Sequence, residues 1–197
     1  FKDLRQQANA TLDQAQKALI DSFEREISSA DGQRLGSLLI RETWFGHLDK
    51  MKLLIQKGAN VNAEESGETP LLKAIKTNQP QAVLLLLEAG ANVNQPAKNG
   101  NNPLQTAVDY GQVEIVKLLL KQPDIQINQT DSGGNTVLME AAKAGQLEMV
   151  QALVAAGAEV GIKNQRGLTA LDMAKAKRHK DVMEFLTLSK GAAPSEM

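Results

Sequence analysis

Leucine residues recur along the chain at nearly constant intervals, within stretches whose apolar residues lie three or four positions apart. Five of them are separated by 32, 33, 34 and 33 residues, and they are Leu39, Leu71, Leu104, Leu138 and Leu171. An alanine follows three positions after four of these leucines, at Ala74, Ala107, Ala141 and Ala174. Leucine pairs further along each interval, such as Leu53-Leu54 and Leu86-Leu87, mark a second apolar stripe. Spacings of three and four are typical of helices, and a period near 33 predicts a stack of similar helix pairs.

Polar residues and glycines mark where the predicted helices begin and end. A Ser, Thr or Asn precedes each recurrent leucine by two positions, where its side-chain oxygen can cap free backbone N–H groups. These residues are Ser37, Thr69, Asn102, Thr136 and Thr169. Pro70 and Pro103 occupy the next position in two repeats, where a helix needs no donor. Gly58, Gly90 and Gly157 supply the left-handed turn that ends the second helix, after which we expect a hairpin-like finger.

Three sequence phrases recur in a fixed order within this period. They are G-x-T-P-L, A-A-x-x-G-x-x-E-x-V and L-L-x-x-G-A-x-V-N, found for example at 67–71, 141–150 and 86–94. In these phrases the chain resembles the ankyrin-repeat family. The resemblance implies an all-α ankyrin-repeat solenoid of stacked helix-turn-helix repeats with finger-like hairpin loops. It places five repeats within 34–188, at about 34–66, 67–99, 100–133, 134–166 and 167–188, between a helical capping segment (1–33) and a disordered tail (189–197).

The chain departs from the family pattern at two kinds of position. The family's His after the recurrent leucine is absent, so we expect the hydrogen bond that braces this turn to be lost throughout. Its replacements are Ile40, Leu72, Gln105, Met139 and Asp172. Glu42 takes the small-residue position of the first repeat, and polar residues 177–180 replace the usual pattern in the last repeat. Both ends of the stack are therefore predicted to be polar-faced caps.

The segment before the repeats carries one apolar stripe. Its members are Leu4, Ala8, Leu12, Ala15, Leu19, Phe23 and Ile27. The spacing of three or four predicts a helix or a helix pair that ends between Ser28 and Gly32. We expect this segment to cover the exposed face of the first repeat, and the alternative is a helix that binds a partner.

Composition and charge narrow the functions open to this chain. Its 197 residues include 22 Lys and Arg against 23 Asp and Glu, a net charge of -1 that argues against a protein that coats a polyanion. The basic cluster at 175–180 has no interleaved aromatic residues, so we expect a solvated cap and no nucleic-acid partner. The longest aliphatic run, 82–87, is too short to span a membrane. Because Cys is absent, the chain has no disulfide, thiol nucleophile or thiolate metal site.

Catalytic residues are not evident in the sequence. The only two histidines, His47 and His179, are 132 residues apart and occupy matching positions at opposite ends of the predicted stack. No set of nucleophile, base and orienting residue can be assembled. We therefore expect a protein that is not an enzyme and that needs neither a metal nor a cofactor.

The resemblance implies that a protein partner binds in a concave groove, at the finger tips and at the ends of the first helices. The helix-end candidates are Trp44, Phe45, Lys76, Thr77, Asp109, Tyr110, Lys143 and Lys177. The finger candidates are Glu65, Glu68, Lys98, Asn99, Asn101, Ser132, Asn135 and Arg166. The single Trp and the single Tyr both fall in this set, and aromatic side chains are common anchors of protein interfaces. For Trp44 and Phe45 the alternative is burial under the N-terminal helix.

These observations favour a protein that is a monomer when free and that captures one partner protein. We expect it to inhibit that partner or protect against it, as an immunity protein would against an exported enzyme such as a cell-wall hydrolase. The alternative is an adaptor or secreted effector that recruits a host protein. The sequence begins with Phe1, which indicates that a signal peptidase or a truncation removed earlier residues. Export to a bacterial periplasm or secretion is favoured over the cytoplasm.

Overall fold

The fold is a row of helix pairs behind one long N-terminal helix. The computed structural model describes residues 2–191, with side chains described for 13–189. Within this range there are eleven α-helices and no strand longer than an isolated bridge. The helices are α1 (Lys2–Ile27), α2 (Gly32–Phe45), α3 (Leu48–Gln56), α4 (Pro70–Lys76), α5 (Pro80–Glu88), α6 (Pro103–Asp109), α7 (Val113–Leu119), α8 (Val137–Ala144), α9 (Leu147–Ala155), α10 (Ala170–Lys177) and α11 (Lys180–Gly191). The expected all-α solenoid of helix-turn-helix repeats is confirmed.

The helices form two layers. The first helices of the pairs, α2, α4, α6, α8 and α10, contact one another in chain order, and so do the second helices α3, α5, α7, α9 and α11. The alanines of the repeat pattern, Ala74, Ala107, Ala141 and Ala174, have no exposed surface. A side chain of one carbon lets neighbouring helices approach closely, so these alanines set the distance between repeats.

Side-chain caps begin four of the first helices where the sequence predicts them. Thr69, Asn102, Thr136 and Thr169 each accept a hydrogen bond from the backbone N–H three residues later. The expectation that no repeat keeps a bracing hydrogen bond at this turn is wrong for two repeats. Gln105 Oε1 accepts from the Asn102 N–H at 3.0 Å, and Asp172 Oδ2 accepts from the Thr169 N–H at 3.0 Å. An amide or carboxylate three residues after the cap therefore replaces the missing His.

The first repeat begins differently from the others. The cap predicted at Ser37 is wrong, because α2 begins at Gly32 and Ser37 lies inside the helix. Asp31 Oδ1 accepts a hydrogen bond from the Arg34 N–H at 2.8 Å. Asp31 therefore caps this helix more than one turn before the position at which the other first helices begin.

The N-terminal segment is one helix whose C-terminal part covers the stack. Phe23 and Ile27 are buried against the first repeat, whereas residues 13–19 are exposed and Leu19 keeps 66% of its surface. Among the described side chains, the stripe therefore covers the stack at its C-terminal end. The side chains of Leu4, Ala8 and Leu12 lie outside the described residues. At the other terminus α11 includes 189–191, which were expected to belong to the tail, and 192–197 lie outside the described residues.

A buried carboxylate, Glu42, lies at the polar end of the first repeat and is surrounded by three basic side chains. Glu42 is only 2% exposed. Its carboxylate accepts from His47 Nδ1 at 2.7 Å and pairs with Arg41 at 2.7 Å and Lys50 at 3.6 Å. Arg41 also reaches Glu26 of α1 at 3.9 Å, and Lys50 lies 4.7 Å from the ring centre of Phe23. The polar end of the first repeat is therefore a carboxylate that is buried and paired within the protein.

Asparagine side chains in the loops after the second helices join consecutive repeats. The Asn94 amide donates to the Asp124 carbonyl at 2.7 Å and accepts from the Gln126 N–H at 3.0 Å. Asn62 makes the equivalent pair of bonds to the next repeat. Asn128 likewise accepts from the Glu159 N–H, but it donates to the carboxylate of Glu159. The asparagine of the V-N phrase thus joins its repeat to the next one.

Replacing Asn94 by Ala should lower the free energy of unfolding by about 1–2 kcal/mol, because two hydrogen bonds between repeats are lost. Asn60 is the matched control, since its Oδ1 accepts only from the nearby Asn62 N–H, and Asn60→Ala should cost distinctly less. Urea unfolding followed by circular dichroism measures both variants. Equal losses would contradict the linking role of Asn94.

Candidate functional site

The fingers and the ends of the first helices form one continuous surface, which we call the groove face. Glu68 at the base of a finger pairs with Lys73 and Lys76 of α4. Asn101, in the next finger, donates to Asp109 at the end of α6 at 3.1 Å. These contacts hold each finger against its own first helix, so the predicted finger residues and helix-end residues lie on the same side of the stack.

Three aromatic side chains lie exposed at the ends of first helices. Trp44 is 51% exposed, Phe45 is 61% exposed and Tyr110 is 58% exposed. The alternative that Trp44 and Phe45 are buried under the N-terminal helix is therefore wrong. The Lys73 ammonium lies 4.6 Å from the ring centre of Trp44, and Phe45 stacks on His47 at 5.7 Å. Neighbouring side chains thus orient the Trp44 and Phe45 rings and leave much of their surface free.

Charges on the groove face are balanced in the second repeat. Burial by itself would raise the pKa of Glu68, but the hydrogen bond from Lys76 and the charges of Lys73 and Lys76 hold that pKa below its ordinary value. Lys73 and Lys76 are half-buried, and each is paired with Glu68. Glu68 and Lys76, both predicted to contact a partner, are therefore paired with each other in the free protein.

A cavity of about 270 Å³ opens between the third and fourth repeats. It is lined by Asn101, Gln105, Val108, Asp109, Asp131, Asn135, Thr136, Val137 and Glu140. Three of these residues are carboxylates, and the only ion pair among them is the one between Glu140 and Lys143 at 2.9 Å. The lining is therefore polar, with an excess of negative charge.

The carboxylates of this cavity differ in how well they are stabilised. Burial, followed by the charges of Glu140 and Asp131, raises the pKa of Asp109 above its ordinary value. For Asp131 burial also acts upward, but hydrogen bonds from the backbone and side chain of Asn135 and from the Gly133 N–H lower the pKa. Asp131 is thus a stable anion, whereas Asp109 lies where a negative charge is unfavourable.

The remaining predicted contact residues divide by exposure. Seven are exposed on fingers or helix ends, namely Glu65, Lys98, Asn99, Ser132, Lys143, Arg166 and Lys177. Two others are half-buried and bonded within the protein. Thr77 donates to the Lys73 carbonyl at 2.8 Å, and Asn135 donates to Asp131 at 3.1 Å while it accepts from Asn164 at 2.8 Å. Their side chains stabilise the repeats in the free protein.

Sequence reasoning missed three residues that shape this face, Lys73, Asp131 and Glu140. Lys73 and Glu140 each precede the small alanine of their repeats and lie three residues before the predicted contacts Lys76 and Lys143. Residues three apart share a helix face, so this spacing is a signal that could have found them. Asp131 had no such signal, because its role depends on how the finger folds.

The two histidines make hydrogen bonds at opposite ends of the stack. His47 binds Glu42, and His179 Nε2 donates to the Lys143 carbonyl at 3.0 Å. The second and third repeats carry a glutamine at the position that these histidines occupy in the first and last repeats. Gln79 donates to the Trp44 carbonyl at 3.3 Å, and Gln112 donates to the Ile75 carbonyl at 2.7 Å. Within the described residues no group of three acidic or histidine side chains is arranged to hold a metal ion. None of the helices described is both long and apolar enough to cross a membrane.

Two family models match most of the repeat region. One, described as ankyrin repeats in three copies, matches residues 39–131, and the other, described as ankyrin repeats in many copies, matches 118–174. Both match on residues that the structure folds into helix pairs.

The similar proteins are much longer than this chain. Alpha-latrotoxin-Lg1a of Latrodectus geometricus is 33% identical over 85% of the chain, and the mouse B-cell lymphoma 3 protein homolog is 36% identical over 70%. Human neurogenic locus notch homolog protein 4 is 41% identical over 40% of the chain. The matched segments span 12%, 24% and 4% of those proteins.

Glu68→Gln and Asp109→Asn should change the pH dependence of stability in opposite directions. The Glu68 pKa is lowered on folding, so its contribution, about 1–2 kcal/mol at pH 7, is lost as pH falls through the folded-state pKa. The Asp109 pKa is raised, so wild type loses stability as pH rises through that value. Asp109→Asn should therefore be slightly more stable than wild type at pH 7, because solvent screens this exposed charge, and it should match wild type in acid.

Urea unfolding at a series of pH values between neutral and acid measures these differences. Glu114→Gln is the control for the loss of one carboxylate, since Glu114 is exposed on a second helix. A Glu68→Gln difference that stays constant with pH would sink the assignment of the Glu68 charge.

Proposed function

Because the chain belongs to the ankyrin-repeat family and is thus a protein–protein interaction module, we propose that its groove face captures one partner protein and restrains that partner's activity. The protein itself is a monomer when free and carries out no reaction. The observation that carries this proposal is the exposure of Trp44, Phe45 and Tyr110 at the ends of first helices. The chain has only six aromatic residues, 3% of its length, and these three are half of them.

Large aromatic side chains supply much of the binding energy of protein interfaces when a partner removes them from water. Repeat contacts, asparagine links and finger-to-helix hydrogen bonds hold this face in place before the partner arrives. A preorganised surface loses less conformational entropy on binding. Both properties suit a tight binder that covers a functional surface of its partner.

An inhibitor of an exported enzyme, such as an immunity protein against a cell-wall hydrolase in a bacterial periplasm, is the role that we favour. A broad, rigid face can cover an active site without any chemistry of its own. The comparisons with animal proteins identify neither the partner nor the compartment, so both remain part of the proposal.

An adaptor that recruits a second protein is the other candidate, and one observation favours it. Residues 13–19 of α1 are exposed, including Leu19, and they offer a further surface on the helix that precedes the repeats. An adaptor needs two such surfaces, whereas an inhibitor needs one.

Capture of the partner from the native source, followed by an activity assay, distinguishes the two roles. An inhibitor should abolish the partner's activity at one-to-one stoichiometry. An adaptor should leave that activity unchanged, and Leu19→Asp should then release a second protein while the first stays bound. A captured enzyme that remains fully active in the complex would contradict the inhibitory role.

Tyr110→Ala and Trp44→Ala should each weaken binding of the captured partner by about 2 kcal/mol, roughly thirtyfold, because each removes a ring that the partner desolvates. Lys117→Ala and Gln151→Ala are the controls, since both side chains are exposed on second helices, and these variants should bind as wild type does. Calorimetric titration measures all four. If only the second-helix variants lose affinity, the partner binds the opposite side of the stack.

A further inference from the structure

We infer that Asn99, at the tip of a finger on the groove face, is a site of spontaneous deamidation, at which the Gly100 nitrogen displaces ammonia from the Asn99 side chain. The reaction needs no enzyme and consumes only water. Its products carry a new carboxylate, so the reaction changes the groove face as the protein ages. The modification follows from the geometry of the finger, and only its effect on binding rests on the proposed function.

The residue after Asn99 is a nucleophile that no other asparagine of the chain has, because Asn99 is the only asparagine followed by glycine. A main-chain nitrogen can attack the side-chain carbonyl of the asparagine before it, and a side chain on the attacking residue obstructs that approach. Gly100 has no side chain, and a Cβ placed on it would meet no atom within 4 Å. Asn99 and Gly100 are both exposed, so water reaches the site.

A hydrogen bond folds the Asn99 side chain back along the turn. Asn99 Oδ1 accepts from the Asn101 N–H at 3.1 Å. The ring that this hydrogen bond closes contains both the Asn99 Cγ and the Gly100 nitrogen, so the two reacting atoms lie on one turn. Attack at Cγ makes Oδ1 more negative, and an N–H already directed at this oxygen stabilises that charge. The turn therefore both orients and polarises the amide.

Three other asparagines make the same kind of hydrogen bond and serve as comparisons within the chain. Asn60, Asn92 and Asn164 each accept from the N–H two residues later at 3.0 Å. The residues that follow them are Val61, Val93 and Gln165. These branched or long side chains obstruct the attacking nitrogen, so the hydrogen bond alone does not make a reactive site. The glycine after Asn99 is the feature that distinguishes it.

One contact opposes the reaction. The Gly100 N–H donates to the Ala97 carbonyl at 2.9 Å, and this bond must open before the nitrogen can lose its proton. Residues 98–100 are exposed, and exposed loops open locally at little cost in free energy. We therefore expect the reaction to proceed in the folded protein, through brief openings of this turn.

The reaction balances with water as its only reagent and ammonia as its only leaving group. The Gly100 nitrogen forms a bond to the Asn99 Cγ, and the Cγ–Nδ2 bond breaks. Nδ2 leaves as ammonia with the proton of the Gly100 nitrogen, which gives a cyclic imide. Water then opens this ring at either carbonyl. Opening at Cγ gives aspartate, whereas opening at the main-chain carbonyl gives isoaspartate, whose main chain runs through Cγ.

Both products change the finger. Each adds one negative charge to a chain whose net charge is -1. Isoaspartate also lengthens the main chain within the turn, which the Ala97 N–H closes by donating to the Asn101 carbonyl at 2.8 Å. The Asn101 side chain donates to Asp109 at 3.1 Å, so a longer turn would move it away from the end of α6. The modification thus alters the groove face in both charge and shape.

Incubation of the full chain in neutral buffer at body temperature, followed by peptide mapping with mass spectrometry, tests this inference. The Asn99 peptide should gain one dalton and separate into aspartate and isoaspartate forms. Its conversion should be at least about tenfold faster than that of Asn60, Asn92 or Asn164, because an oriented and unobstructed nucleophile speeds an intramolecular reaction. Circular dichroism of the incubated sample should show a folded protein.

Asn99→Gln is the matched control, because its amide is also neutral but its longer side chain would have to close a larger ring. This variant should show no conversion at position 99 over the same period. An Asn99 amide that persists unchanged, or conversion of all four asparagines at one rate, would overturn the inference. Conversion that occurs only after the protein is unfolded would also overturn it, since the turn would then protect the amide.

The captured partner tests the effect on binding. The deamidated form, separated by ion exchange, should bind the partner severalfold more weakly than fresh protein, and incubated Asn99→Gln should bind as it did before incubation. Equal binding by the deamidated and fresh forms would contradict the effect on the groove face. A partner indifferent to both Tyr110→Ala and Trp44→Ala would instead contradict the proposed binding face, and the measured conversion of Asn99 would still stand.

Discussion

Close contact between neighbouring repeats is the constraint on which the rest of this molecule depends. A pair of helices seven to nine residues long, such as α4 and α5, is too short to be stable in water by itself. It must bury its apolar stripe against the next pair, and the unexposed alanines Ala74, Ala107 and Ala141 allow that approach. Because contacts run only between neighbours, the asparagine and glutamine links between repeats fix the rotation of each pair, and this rotation places the groove face.

The interior repeats could be predicted from the sequence because each begins its first helix with the same kind of capping residue. Thr69, Asn102 and Thr136 mark helix starts correctly since a cap acts within one turn. The first repeat has no preceding repeat to pack against, and there the rule at Ser37 is wrong. Its start at Gly32 and the burial of Glu42 depend on α1, whose position involves contacts between segments far apart in sequence.

The positions of the candidate site residues could be predicted from the sequence. Which of their side chains are unpaired in the free protein could be predicted less well. The period places Trp44 and Tyr110 at equivalent helix ends, and the structure leaves both exposed. Whether a polar side chain is free to bind a partner depends on distances in the folded protein, and the repeat period does not give those distances. Glu68 and Lys76 pair across eight residues, and Asn135 bonds to Asp131 within its finger and to Asn164 in the next. Such pairs require the folded finger and cannot be derived from composition or spacing.

The charges of the groove face are balanced in the second repeat and unbalanced between the third and fourth repeats. In the second repeat Glu68 and its two lysines satisfy one another, so a partner gains little from any of them. Between the third and fourth repeats Asp109 is held where its charge is unfavourable, at an avoidable cost to the free protein. The balanced charges of the second repeat therefore hold the finger against its own helix, whereas the charge of Asp109 makes no such contribution to the folded state.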